Sequence, residues 1–65
     1  MNLNRHNIDI ALARNKMTVS QLAKAYGVSR QRMNVILSGK NITPRCAGKV
    51  ADALGCDIAE IIEEN

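Results

Sequence analysis

The stretch VSQLAKAYGVSRQRMNVILS, residues 19–38, decides the fold of this chain. Its small, glycine and apolar residues stand where two short helices joined by a sharp turn need them. Ala23 is small where the helices would cross, Gly27 can adopt the positive φ of a tight helix exit, and Val28 can lead the turn back into the core. The stretch therefore predicts a helix-turn-helix, whose second helix protrudes from the domain.

Capping residues support the boundaries of both helices. Thr18 stands before the first helix and Gln21 follows three residues later, which is the spacing of a reciprocal capping box. Ser29 can cap the second helix, although Arg32 at the third helical position cannot complete a box there. Caps and a glycine occur in helical hairpins of any function, so by themselves they also fit a plain helical hairpin.

Apolar spacing along the whole chain predicts an all-α, compact five-helix bundle with no strand. The predicted helices cover about residues 4–15, 19–26, 30–38 and 44–54, with a short final helix after Asp57. Pro44 at the first position and Gly55 after the last support the fourth helix. Gly48 inside it costs about 1 kcal/mol relative to Ala, so we expect a close neighbour there, with sequence drift as the alternative. No linker or repeat divides residues 1–65, which are expected to form one domain.

Composition predicts a small aliphatic core. The chain has 65 residues. A domain of this size buries only about 60% of its unfolded surface, so its stability is marginal unless its packing is efficient. Tyr26 is the only aromatic residue. No apolar run is long enough to cross a membrane and the N-terminus lacks the apolar block of a secretory signal, so we expect a soluble, cytoplasmic protein.

Few residues in the sequence could support metal or catalytic chemistry. Cys46, Cys56 and the lone His6 do not have the spacing of a zinc site, so neither a metal nor another cofactor is expected. The cysteines are expected to be reduced packing groups, with a disulfide between them as the alternative. No nucleophile, paired carboxylates or glycine-rich phosphate loop accompanies His6, which argues against an enzyme.

Charge is strongly uneven along the chain. Residues 1–49 contain all nine basic residues and only one acidic residue, Asp9, for a net charge of +8. Residues 50–65 contain five acidic residues and no basic one, for a net charge of −5. Basic charge that coincides with a helix-turn-helix favours a polyphosphate partner, although scattered basic residues can also serve only for solubility.

The second helix of the pair has a polar side that could read DNA bases. At about 100° per residue, Met33 and Ile36 point to the core, and the opposite side carries Arg30, Gln31 and Asn34, with Val35 at its edge. Arg can donate two hydrogen bonds to guanine, Gln and Asn can pair with adenine, and Val can touch a thymine methyl group. The alternative is that these side chains only solvate an exposed helix.

Three short motifs carry a resemblance to a known family: LAKAYGVS at 22–29, SGK at 38–40 and ADALG at 51–55. Over about residues 5–63 the chain resembles the Cro/C1 repressor family, also called XRE-type helix-turn-helix domains. The resemblance implies a five-helix domain of phage repressors and of bacterial or mobile-element regulators, which typically bind operators as dimers. The chain departs from the family pattern at Val19, where a polar residue is common, and at Leu37, where Glu is common.

Phosphate contacts are expected beside the base-reading side. Free N–H groups and the helix dipole at the start of the first helix can bind a phosphate. The resemblance implies two further phosphate ligands, the lysine after the glycine that follows the recognition helix and the residue beyond it. The candidate phosphate-binding residues are Val19, Ser20, Gln21, Arg32, Lys40 and Asn41.

The resulting hypothesis is a sequence-specific regulator, repressor-like, that binds double-stranded DNA through the second helix of the pair. The alternative is a helix-turn-helix protein-interaction or antitoxin-like module that binds no specific operator. Three isoleucines close together near the C-terminus, Ile58, Ile61 and Ile62, fit either a two-fold dimer contact or core packing.

Overall fold

The computed structural model describes residues 1–38 and 41–63. Within these residues it contains four α-helices, one 3₁₀ turn and a two-stranded antiparallel sheet. In chain order the elements are β1 (Asn2–Leu3), α1 (Arg5–Arg14), α2 (Val19–Tyr26), α3 (Arg30–Ser38), α4 (Pro44–Leu54), the 3₁₀ turn (Ile58–Glu60) and β2 (Ile62–Glu63).

The prediction of five helices and no strand is wrong at the two ends of the chain. Asp57 and Glu60 do form a capping box, but only a 3₁₀ turn follows it. Ile61 then packs into the core with none of its surface exposed, and Ile62 and Glu63 pair with β1. Two-residue strands whose partners are some sixty residues apart leave no local pattern in the sequence, so spacing alone could not reveal them.

The ends of the α-helices follow the chemistry of their terminal residues. Asn4 caps α1, its Oδ1 accepting a hydrogen bond from the Asn7 N–H at 3.0 Å. Thr43 caps α4 through its Oγ1, which accepts from the Cys46 N–H at 3.1 Å. Gly55 ends α4 at a φ of 70°. This is a left-handed conformation that glycine adopts without a steric cost.

The core is aliphatic, and its principal helix contacts are those of α2 with α3 and with α4. Its largest fully buried side chains are Ile8, Leu22, Met33, Leu37, Val50, Leu54 and Ile61. Ile58 and Ile62 are half-buried against the same core. Core packing therefore accounts for Ile61 entirely and for its two neighbours in part.

Two polar links join α1 to the C-terminal part of the chain. The Asn15 side-chain amide donates to the Leu54 carbonyl at 2.6 Å and to the Ala11 carbonyl at 3.0 Å. Arg14 forms an exposed ion pair with Glu60 at 3.3 Å. These contacts fix the end of α1 against the end of α4 and the 3₁₀ turn.

The expectation of a close neighbour at Gly48 is wrong. A Cβ built on this residue would meet no atom of the described residues within 4 Å, so the helix has room for a larger side chain there. Both cysteines are free thiols, which excludes the alternative of a disulfide. Burial, followed by the charge of Glu60, raises the pKa of the Cys56 thiol. No helix in the described ranges is both long and apolar enough to span a bilayer.

Candidate nucleic-acid interface

A tight turn joins α2 to α3. Gly27 adopts a φ of 99°, and the N–H groups of Gly27 and Val28 both donate to the Ala23 carbonyl, at 2.8 and 3.0 Å. Ala23 is buried and Val28 is half-buried against the core. Gly27 and Val28 therefore have the parts in the turn that the sequence predicts, and Ala23 is buried at its start.

The cap of α2 determines which of its first N–H groups are free to bind a ligand. The predicted box is present: the Gln21 N–H donates to Thr18 Oγ1 at 3.1 Å, and the Thr18 N–H donates to Gln21 Oε1 at 2.8 Å. The Leu22 N–H donates to the Thr18 carbonyl. The first-turn N–H groups that remain for an external acceptor are those of Val19 and Ser20.

The cap also fixes the orientation of the Gln21 side chain. Its oxygen is occupied by the Thr18 N–H, so its NH₂ group is the part that can donate to a phosphate. Ser20 and Gln21 are exposed, and Val19 is half-buried. Ser29 caps α3 without a box, its Oγ accepting from the Arg32 N–H at 3.1 Å.

The buried side of α3 differs from the prediction by one residue. Met33 is fully buried as predicted, but the second core residue is Leu37, which is 2% exposed, and not Ile36, which is half-buried. Consecutive residues of a helix are about 100° apart. With Met33 and Leu37 as the buried pair, and not Met33 and Ile36, the side of α3 that faces the core is rotated by about 50° from the predicted one. The departure from the family pattern at Leu37 is thus a core position of this chain.

This rotation changes the centre of the exposed face. Val35 now lies almost opposite the core. It is 57% exposed, more than any other large apolar side chain described. The prediction that Val35 lies at the edge of the polar side is therefore wrong. On the same helical projection Gln31 lies on one side of Val35 and Arg32 on the other.

The remaining candidate base readers are also on α3. Arg30, Gln31 and Asn34 are all exposed. Arg30 is the first residue of the helix and lies farther from the centre of the face than Gln31. The Ser38 hydroxyl donates to the Asn34 and Val35 carbonyls at 3.0 and 3.2 Å, so it is engaged with the helix backbone.

The loop after α3 is only partly described. Lys40 lies outside the described residues. Asn41 is exposed and has a φ of 58°, and its N–H donates to Asn2 Oδ1 at 2.7 Å. Only the side chain of Asn41 therefore remains to donate to a phosphate. Asn2 is not among the residues predicted from the sequence, because no local pattern links two residues so far apart in the chain.

Among the described residues, the basic side chains of the helix-turn-helix form no ion pair with an acidic neighbour. Within the described ranges the two ion pairs, Arg5 with Asp9 and Arg14 with Glu60, both use cations of α1. No ion pair in those ranges involves a basic residue of α2, α3 or α4. Arg30 and Arg32 thus remain available to an anionic partner.

Tyr26 joins the end of α2 to the start of α4. Its hydroxyl lies 3.4 Å from the Cys46 Sγ, and Lys49 Nζ lies 4.4 Å from the centre of its ring. The hydrogen bond with Cys46, and then partial burial, raise the pKa of the Tyr26 phenol. Cys46 thus has the packing part predicted for it, against the only aromatic ring of the chain.

The sequence model of one family, the Cro/C1-type HTH DNA-binding domain, matches residues 7–65. The chain belongs to this family. As a Cro/C1-type domain it has double-stranded DNA as its partner, and domains of this family are typically not enzymes. Searches of curated proteins and of solved structures found no match. The described residues contain no cluster of three or more His, Cys, Asp or Glu side chains that could hold a metal ion.

Proposed function

We propose that this Cro/C1-type domain is a sequence-specific transcriptional regulator, repressor-like, that inserts α3 into the major groove of an operator. The observation that carries the proposal is the exposed face of α3, where Gln31 and Arg32 flank Val35. The major groove is wide enough to admit an α-helix, and each base pair presents there a distinct pattern of donors, acceptors and methyl groups.

The base-reading residues in this proposal are Arg30, Gln31, Asn34 and Val35. Arg30 donates to guanine, Gln31 and Asn34 pair with adenine, and Val35 contacts a thymine methyl group. Gln31 is the polar residue closest to the centre of the face, so we assign it the most direct part in readout.

The phosphate-binding residues in this proposal come from three places, namely the start of α2, the flank of α3 and the loop after α3. The N–H groups of Val19 and Ser20 and the NH₂ group of Gln21 bind one phosphate at the start of α2, where the helix dipole favours an anion. Arg32 binds the backbone at the flank of α3. Lys40 and the side chain of Asn41 bind a further phosphate, with Lys40 assigned from the sequence alone.

We also propose that two copies bind one operator as a homodimer. Family resemblance supports this proposal, and a two-fold operator would place its half-sites about 34 Å apart. Since Ile61 is fully buried, only the half-buried Ile58 and Ile62 remain from the three isoleucines as contributors to a contact between copies. Sedimentation with and without operator DNA tests the assembly, and one monomer on an unpaired half-site would contradict it.

The function is tested first by selecting bound fragments from a random DNA pool and by measuring affinity for a random duplex against salt. A regulator enriches a defined sequence and loses affinity steeply as salt increases, because bound phosphates release counterions. A protein-interaction or antitoxin-like module enriches no sequence and shows little salt dependence. That result would overturn the proposal.

The second test is Gln31→Ala. Gln31 is uncharged, so its loss leaves random-DNA affinity and the salt slope nearly unchanged. On the selected operator we expect a loss of about 1 to 3 kcal/mol and a relaxed preference at one position, an A·T pair. The matched control is His6→Ala, which removes one exposed polar side chain from α1 and should change neither affinity nor preference. An unchanged selected sequence for Gln31→Ala would show that α3 does not read DNA in this way.

A further inference from the structure

The N-terminal segment, residues 1–4, forms hydrogen bonds with the loop that follows α3. Asn2 Oδ1 accepts the Asn41 N–H, and the Met1 carbonyl accepts the Ile42 N–H, both at 2.7 Å. Two consecutive N–H groups of the loop are thus held by two consecutive residues of the N-terminal segment. One of the two bonds uses a side chain, so a single substitution can remove it and leave the backbone bond in place.

Asn2 is itself held firmly. It pairs with Glu63 in the sheet, and its neighbour Leu3 is only 6% exposed. The Asn4 N–H donates to the Ile61 carbonyl at 2.7 Å, which fixes the segment on the other side of Leu3. The Asn2 side chain is therefore carried by a backbone anchored in the core.

The bond from Asn41 fixes a conformation that most residues avoid. Asn41 has a φ of 58°. This value lies in the left-handed region, where Asn is tolerated better than other residues with a side chain. Its N–H is occupied by Asn2, and its side chain is exposed. The direction of that side chain thus depends on a backbone that Asn2 holds in place.

We propose that Asn2 is a positioning residue for DNA binding, which orients the side-chain amide of Asn41 toward a phosphate of the DNA backbone. The inference rests on the proposed function, because it names a residue that acts through one of its phosphate ligands. Neutral amide side chains commonly donate to phosphates in protein–DNA complexes. Such a contact adds affinity without adding charge or base preference.

The test is a double-mutant cycle on the full chain with Asn2→Ala, Asn41→Gly and the double variant. Glycine removes the Asn41 side chain without strain at a positive φ. We expect Asn2→Ala to weaken binding to the selected operator and to a random duplex by the same factor, about two- to tenfold, the range of one hydrogen bond. The salt slope stays unchanged, since no charge is lost.

Coupling between the two residues separates positioning from a general effect on stability. If Asn2 acts through Asn41, the double variant binds no more weakly than Asn41→Gly alone. The matched control is Asn15→Ala, which also removes a side-chain bond to a backbone group 39 residues away, here the Leu54 carbonyl. It lowers the unfolding temperature but leaves the DNA affinity of the folded protein unchanged.

The possible failures are distinguishable. If the unmodified protein binds no DNA, the proposed function fails. If it binds DNA, and Asn2→Ala binds equally well or the losses of the two single variants add in the double variant, the proposed function stands and the positioning part of Asn2 is wrong.

Discussion

Val35 is the most exposed apolar side chain of α3. More than half of its surface is exposed, at 57%, and it lies at the centre of the face that would enter the groove. The apolar group that the major groove offers is the thymine 5-methyl group. In the proposed complex, an exposed valine at this place is expected to contact a thymine of the operator.

Uracil substitution tests this contact one methyl group at a time. Replacing the thymine that faces Val35 by uracil should weaken binding by about 0.8 kcal/mol, which is the free energy gained by burying one CH₂ group. Val35→Ala should lose most of this sensitivity, since it no longer reaches the methyl group. Uracil at thymines outside the half-sites serves as the control. Equal effects of every uracil, or none, would contradict the contact.

The candidate site could be predicted from sequence only in part, and the reason lies at the scale of single residues. Arg30, Gln31 and Asn34 are exposed as predicted, because a polar residue among apolar ones indicates which side of a helix faces solvent. Ile36 and Leu37 are both apolar and adjacent, so the pattern could not show which one enters the core. Because Leu37 is the buried residue, Val35 lies at the centre of the exposed face of α3 and not at its edge.

At the scale of elements, α4 combines a favourable start and end with one unfavourable interior residue. Thr43, Pro44 and Gly55 define its limits. Gly48 weakens it, because glycine has more backbone freedom to lose on folding than any other residue. Nothing in the described structure occupies the space where its Cβ would lie.

Gly48→Ala should therefore raise the free energy of unfolding by about 1 kcal/mol, and thermal denaturation should show a rise of about 4–8 °C in Tm. DNA affinity should not change. The matched control is Gly55→Ala, the same substitution at a φ of 70°. Alanine is strained at this positive φ, so the control should destabilise the domain. A loss of stability in Gly48→Ala would mean that something approaches this face of α4.

At the scale of the whole molecule, residues 2–4 near the N-terminus contact residues 61–63 near the C-terminus. Ile61 has no exposed surface, and the Asn4 N–H donates to its carbonyl group. In the two-stranded sheet, Leu3 pairs with Ile62, the residue that follows Ile61. The N-terminal segment, which also holds the loop after α3, depends in this way on the C-terminal segment.

Ile61→Ala should cost about 2–5 kcal/mol of unfolding free energy, through lost burial and the cavity left behind. That is a large share of the roughly 5–15 kcal/mol available to a natural domain. The matched control is Ile62→Ala, because the Ile62 side chain is only half-buried. Urea denaturation of both variants measures their losses of unfolding free energy, and the loss should be larger for Ile61→Ala. Equal losses would indicate that Ile61 is not the principal anchor of this end.

The sequence by itself determined the features that rest on contacts between near neighbours. The capping boxes at Thr18 and Asp57 join residues three apart, and the glycine exits at Gly27 and Gly55 depend on the φ of one residue. The two ends of α2 and the end of α4 follow from these signals. They are readable because all the interacting groups lie within a single turn of the chain.

The tertiary structure alone decided the features that join distant segments. These are the burial of Leu37, the pairing of β1 with β2, the open space beside Gly48 and the bond between Asn2 and Asn41. Each depends on which surfaces meet after the helices have packed. A sequence pattern specifies the faces of an element and leaves open what lies against them, so only the folded chain could settle these contacts.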